Sequence, residues 1–328
     1  MVKRKLWLIL LLVLSAQFVG TAQDPHFSQF YANRLYLNPA FAGSEVCPRF
    51  SMNYRNQWPA LGQSFVTYTA SFDSYVSAVN GGVGIQLIND VQGDGVIRTT
   101  GLDAMYSYTL EISRNFNVTG GFQASYVQRA LDWGSLIFPD MIDAYFGEIY
   151  STKERVPTDL TKSYFDFSAG AIGFGQNFYF GVAVHHLAQP EESFYNSSDA
   201  ILPRKYTAHF GAKIPLKHRS YKRGELSISP NIMYQRQLDF EQLNYGLYVQ
   251  RKSVTFGVWM RNNLDLHFDS FIMLIGFVQD QVKISYSYDL TISSLAKETL
   301  GAHEITLSYQ LPCRVPSVKR KAIKCPEF

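Results

Sequence analysis

Several features that would mark a helical membrane protein, a nucleic-acid binder or an enzyme are missing from this chain. Past the first 22 residues no apolar run approaches the roughly 18 residues that a spanning helix needs, so a helical membrane bundle is excluded. Excess charge is missing as well. The leader holds three of the 30 basic residues and none of the 27 acidic ones, which leaves the remainder balanced at 27 against 27. No basic stripe with interleaved aromatics occurs, and no nucleic-acid partner is expected. Cysteine is scarce: Cys47, Cys313 and Cys325 are an odd number, so at least one thiol stays free within a monomer.

Catalytic motifs are missing too. There is no GxSxG elbow, P-loop or HExxH. His303-Glu304 lacks the second histidine and falls in a strand pattern. His185 and His186 are consecutive, and on a strand they face opposite sides, which rules out a shared metal. Asp90 to Gly95 resembles a calcium loop but lacks the bidentate acid that should follow, so a hairpin turn is the better reading. No Ser and His pair is marked for a hydrolase. The expectation is no enzyme, with no catalytic residue, cofactor or metal site.

An export leader is present. Lys3, Arg4 and Lys5 precede an apolar run from Leu6 to Leu14, and small residues surround Ala22, where the cut is placed. The run is too short to span a bilayer, and no cysteine follows it to direct lipoprotein processing.

The full chain is aromatic, with 21 Tyr and 24 Phe, and past the leader its period is two. Phe178, Phe180, Val182 and Val184 alternate with Tyr179, Gly181, Ala183 and His185. Near the end Ile305, Leu307, Tyr309 and Leu311 oppose Glu304, Thr306, Ser308 and Gln310. Such alternation predicts strands near 49–58, 65–76, 82–90, 97–112, 116–131, 164–175, 177–187, 204–215, 226–237, 241–251, 254–262, 269–279, 281–290 and 301–311. Most have the roughly 9–11 residues of a tilted membrane strand. The fold class is therefore all-β, a transmembrane outer-membrane barrel of about 14 antiparallel strands with a short N-terminal helical segment.

Loop lengths agree. Connections after even-numbered strands are mostly tight, and those after odd-numbered strands are generally longer, notably 132–163, 188–203, 263–268 and 291–300. Periplasmic turns and extracellular loops alternate in this way, whereas a soluble β-sandwich would not need the parity. The exceptions are 216–225 and the brief turn at 238–241. The long outward loops are mainly acidic, while 216–225 and the tail from Pro312 are basic. The division is then 1–22 leader, 23–48 N-terminal plug or docking segment, 49–311 barrel and 312–328 periplasmic tail.

Residues 24–43 read as an amphipathic helix of about three turns. Asp24 can cap it, Pro25 fits its first position, and Phe27, Phe30, Tyr31, Arg34 and Leu35 form one face. That face is expected at the periplasmic mouth or partway into the lumen, with Asp103, Glu111 or Glu304 as the acid for Arg34. Strands 1 and 14 would close the barrel, placing Cys47 and Cys313 at the same rim. Cys47 is expected to pair with Cys313 or Cys325.

The opening DPHFSQFYANRLYLNPAFAG resembles the N-terminal signature of the PorP/SprF family, membrane proteins of the Bacteroidetes type IX secretion system. The similarity continues through Phe138-Pro139-Asp140, YFDFSAG at 164–170, QPEESF at 189–194, LPRKYTAHFG at 202–211, YSYDLTISSL at 286–295, GAHEITLSY at 301–309 and Cys325-Pro326. The resemblance implies an outer-membrane barrel that assists secretion or surface anchoring of a large secreted protein such as a gliding adhesin. It also implies a link to a periplasmic peptidoglycan-binding lipoprotein. Candidate outward contacts are Phe138, Asp140, Tyr145, Phe146, Glu191, Glu192, Phe194 and Tyr195. Candidate periplasmic contacts are Lys217, Arg219, Lys222, Arg223, Lys319, Arg320 and Lys321. The competing expectation is a passive porin for small solutes, since 14 strands can enclose a water-lined lumen.

Overall fold

The computed structural model describes residues 24–45, 47–61, 65–143, 145–195, 200–216, 226–264, 267–292 and 299–313. Alternation puts every second side chain on one face, and the strands follow it closely: β1 (Arg49–Gln57), β2 (Phe65–Val76), β3 (Gly81–Gln92), β4 (Ile97–Ser113), β5 (Phe116–Leu131), β6 (Thr161–Phe174), β7 (Phe178–His185), β8 (Lys205–Ala212), β9 (Leu226–Gln237), β10 (Phe240–Arg251), β11 (Val254–Asn262), β12 (Phe268–Gln279), β13 (Val282–Thr291) and β14 (Ala302–Gln310). Each pairs antiparallel with the next, and β14 pairs with β1 from Arg49↔Gln310 to Gln57↔Ala302, so the sheet closes. Ile214–Leu216 prolongs β8 along β9, and a small ribbon, Ile142–Asp143 with Gly147–Glu148, decorates the β5–β6 connection.

Burial is inverted relative to a soluble protein. On β14, Glu304, Thr306 and Ser308 are buried while Ile305, Leu307 and Tyr309 are exposed. The same holds on β7, β12 and β13, where Val182, Ile275 and Ile284 face outward. An apolar outer band over a polar lumen is what a closed barrel in lipid requires, because closure pairs every backbone group that lipid cannot satisfy.

Strand β7 stops two residues before the expected end. His186 takes a left-handed φ of 58° and turns the chain inward. His185 and His186 therefore do not face opposite sides; both line one luminal cavity, with ring centroids 6.4 Å apart.

The expected three-turn helix is a single short one. Only α1 (Arg34–Leu37) and a 3-10 turn at Pro39–Phe41 are helical. The backbone N–H groups of Ser28 and Gln29 donate to the Glu304 carboxylate at 2.7 and 3.1 Å, so distant wall groups hold this part of the chain in a non-helical path. Nor is one face of 24–43 apolar and the other wet. Ser28, Gln29 and Asn33 are as buried as Phe27, Phe30, Tyr31, Arg34 and Leu35. The segment runs through the lumen, from Asp24 beside Gln237 at the long-loop end to Gly43 beside Ser74 and Gly82 at the short-turn end. It is a plug the length of the barrel, not a cap on one mouth.

Candidate functional site

The plug is fastened at four levels. At the long-loop end, β1, β11, β13 and β14 aim Arg55, Arg261, Asp289 and Glu304 inward. Ser28 Oγ donates to Asp289 at 2.5 Å and accepts from Arg55 and Arg261, each at 2.8 Å. Arg55 also pairs with Glu304 and Asp289, both at 3.1 Å. These charges are buried, and each buried pair needs its partners complete to be tolerated.

Aromatic rings fill the middle. Phe30 packs edge-on against Trp259 at 4.7 Å, Tyr31 against Tyr179 at 5.6 Å, and Phe41 stacks on His209 at 5.6 Å.

Below them, strand register aligns Gly82, Ser107, Gly121 and Gly170 in one row across β3 to β6. Residues 38–42 lie directly on this row. A Cβ at Gly82 would meet Ala42 O at 1.9 Å, one at Gly121 would meet Ala40 N at 2.3 Å, and one at Gly170 would meet Asn38 Oδ1 at 2.1 Å. Ser107 Oγ donates to Ala42 O at 2.7 Å, and Asn38 Nδ2 donates to the wall carbonyl of Val182 at 3.0 Å. Glycine is required here by close approach of the plug, of its backbone at Gly82 and Gly121 and of the Asn38 side chain at Gly170.

At the short-turn end Arg34 pairs with Glu45, not with Asp103, Glu111 or Glu304. Glu304 is occupied as described, Asp103 accepts from Ser125 and Gln123, and Glu111 is exposed. Burial opposes ionisation of Glu45, but Arg34 and Arg49 outweigh it and hold the carboxyl down at about 2. Arg49 continues to Asp73, whose other oxygen accepts from the Gly43 N–H at 3.0 Å.

The Cys47–Cys313 disulfide lies at the same end, with a Cα–Cα distance of 5.5 Å, across the β1–β14 seam. Cys325 falls outside the described residues. The bond closes a sequence separation of 266 residues. C47S and C313S should each lose roughly 2–4 kcal/mol of stability, read as an earlier thermal midpoint of the oxidised protein in detergent. An unchanged midpoint would mean that the β1–β14 ladder alone holds the seam.

Two cavities open beside the plug at the long-loop end. One, of about 390 Å³, is lined by His26, Arg55, Arg261, His267 and Asp269 among others. The other, of about 170 Å³, contains Asp24, Asp90, Asp103, Asp166 and Glu192. In the second, His186 bridges Asp24 at 2.8 Å and Asp166 at 2.6 Å, and Lys205 reaches Asp24 at 2.7 Å. Burial disfavours the charged imidazole, but the Asp24 charge and both hydrogen bonds raise His186 to about 9. A histidine pKa raised above its usual 6.5 stabilises fully below 6.5 and ceases to do so as pH rises through about 9. With the intrinsic base-catalysed rate divided out, protection of the amides at residues 24–28 should therefore fall between pH 8 and 10 in the native chain but show no such step in H186Q. Equal pH profiles would remove His186 as the latch.

A family model for the type IX secretion system membrane protein PorP/SprF matches residues 19–309. The chain belongs to the PorP/SprF family. It is an outer-membrane barrel component of that secretion system. No curated protein matches it. Solved structures that resemble it include the Ralstonia pickettii toluene transporter TbuX, at 9% identity and TM-score 0.48 over 86% of this chain and 94% of that one. The Acinetobacter baumannii outer membrane protein Omp33 follows at 9% and 0.45 over 81% and 99%, and a Pseudomonas aeruginosa FadL homologue at 11% and 0.44 over 85% and 94%.

In this PorP/SprF barrel the outward candidates divide into two groups. Tyr145 and Phe146 stand at the tip of the small ribbon, 92% and 78% exposed. Asp143 shapes that tip by accepting from both their N–H groups, and Asp140 accepts from Thr152 and the Lys153 N–H. Phe138 packs at a tilt against Trp133, ring centroids 4.9 Å apart. Nearer the mouth, Glu192 pairs with Arg129 and accepts from Tyr164, Glu191 lies 3.8 Å from Lys162, Phe194 lies under Arg129, and Tyr195 donates to Arg155 O. Sequence reading grouped all eight, whereas the structure separates a projecting tip from a tied rim. Lys217, Arg219, Lys222, Arg223, Lys319, Arg320 and Lys321 fall outside the described residues. The luminal clamp residues Arg55, Arg261 and Asp289 were missed. Their only signal was a charge at an inward position of an alternating strand.

Proposed function

We propose that this barrel is a closed receiving platform, which binds a large exported protein at its long-loop end and assists its secretion or surface anchoring. The lumen-length plug, fastened by buried ion pairs and seated on wall glycines, carries this reading. A barrel so filled offers its loops and loop-end cavities as its working surface, and passive conduction of solute is the weaker reading. Tyr145 and Phe146 are the apolar contacts for the partner, since exposed aromatics dominate interface energies. A periplasmic lipoprotein partner on the opposite side rests on the family and on the basic charge of 216–225 and the tail.

Affinity capture from native membranes tests the proposal. A large exported protein should co-purify with the native barrel and be depleted by Y145A/F146A. Large stable conductance of the purified native protein, with no co-purifying exported chain, would favour the porin instead.

A further inference from the structure

We infer that the 170 Å³ loop-end cavity is a receptor for an alkylammonium or guanidinium group, supplied by a lysine or arginine side chain of the exported partner. The inference rests on the export-partner reading and adds the chemistry of one contact.

Strand register builds the cavity in two rows. Asp90, Thr99 and Arg129 form the upper row, and Asp103, Ser125 and Asp166 the lower. Three of the five carboxylates are already matched to cations: Asp24 to Lys205 and His186, Asp166 to His186, and Glu192 to Arg129. Asp90 and Asp103 are not. Among the described residues Asp90 accepts only from the Thr67 hydroxyl at 2.7 Å and the Gln92 amide at 2.6 Å, and Asp103 only from Ser125 and Gln123. Neither forms an ion pair among the described residues, yet they are 4% and 6% exposed.

A second, separate observation points to the same missing group. Gln123, 8% exposed, lines the cavity with its Oε1 buried and without a hydrogen-bond partner among the described residues. His185 Nε2 lines it in the same condition. Buried polar atoms are nearly always partnered, so unpartnered acceptors beside unpaired carboxylates call for a donor-rich cation. A metal ion does not fit, because no three ligating side chains among the described residues are grouped to hold one. Ile88, Val127 and Leu202 supply apolar wall for an alkyl stem, which long basic side chains bury readily.

The test uses the full, oxidised protein in detergent and calorimetric titration. The probes are acetyl-Gly-Lys-Gly-amide, its norleucine counterpart and butylamine. The lysine peptide should bind and the norleucine peptide should not. D90N and D103N should each weaken the lysine peptide about tenfold, as expected for loss of a charge-assisted hydrogen bond. S125K, which supplies a tethered ammonium next to Asp103, should abolish peptide binding and raise the thermal midpoint of the empty barrel. Equal binding of both peptides, unchanged affinity in D90N/D103N, or a lowered midpoint in S125K would overturn the proposal. Binding of butylamine without the lysine peptide would overturn the partner as the source. Partner capture in native membranes is read separately, so failure here leaves the platform reading standing.

Discussion

G121V should drive the lower half of the plug off the wall and convert a closed barrel into a conducting one. A Cβ at Gly121 would lie 2.3 Å from Ala40 N and 2.5 Å from Ala40 Cα. Both are backbone atoms, so no rotamer change relieves the overlap. Valine is itself favourable in a strand, and β5 keeps its ladders to β4 and β6. The cost therefore falls on plug docking rather than on the barrel. Overpacking of this kind costs on the order of 3 kcal/mol, about a hundredfold in the docked-to-released ratio. Single-channel recording in planar bilayers should show rare or absent openings for the native protein and frequent ones for G121V. Residues 24–45 should become protease-sensitive in parallel. G120V is the control, because nothing lies within 4 Å of a Cβ at Gly120. Unchanged conductance together with unchanged protection in G121V would refute the glycine row as the plug's seat.

The barrel was legible in the sequence because its rule is local. Lipid outside and water-facing groups inside impose a period of two on every strand, and Ile305, Leu307 and Tyr309 against Glu304, Thr306 and Ser308 display it without reference to any neighbour. Loop parity was legible for the same reason. The plug was legible only as a special segment. Its helical spacing is genuine, but α1 (Arg34–Leu37) is all that survives, since Glu304, 276 positions from Ser28, captures the amides upstream. Propensity yielded to tertiary contacts. The seat was invisible. Gly82, Gly121 and Gly170 share no spacing, and only the register of four strands brings them to one row. His185 and His186 misled because strand geometry was carried past His185, where the chain turns at His186.

The second large effect is expected at Glu304, where substitution should release the upper half of the plug. Four donors converge on its two oxygens: the N–H groups of Ser28 and Gln29, Asn53 Nδ2 and Arg55 Nη1, at 2.7, 3.1, 2.9 and 3.1 Å. E304A leaves Arg55 buried with Asp289 alone and strands both plug amides. Breaking a buried pair costs about 3–5 kcal/mol, and each stranded amide adds roughly 1–3 more. E304Q should be nearly as damaging, although it keeps the shape. An amide NH2 would place a donor among four donors and offer one acceptor where two are needed. Trp259 reports the outcome, because its ring packs on Phe30 of the plug and it is fully buried. Its emission should shift to the red in E304A and E304Q while heat-modifiable gel mobility still marks an intact barrel. H303A serves as the control on the adjacent residue, which faces outward and contacts Tyr286. If E304Q kept native emission, shape rather than charge would hold Ser28 and Gln29 in place, and the clamp would have to be assigned to Asp289 and Arg261 instead.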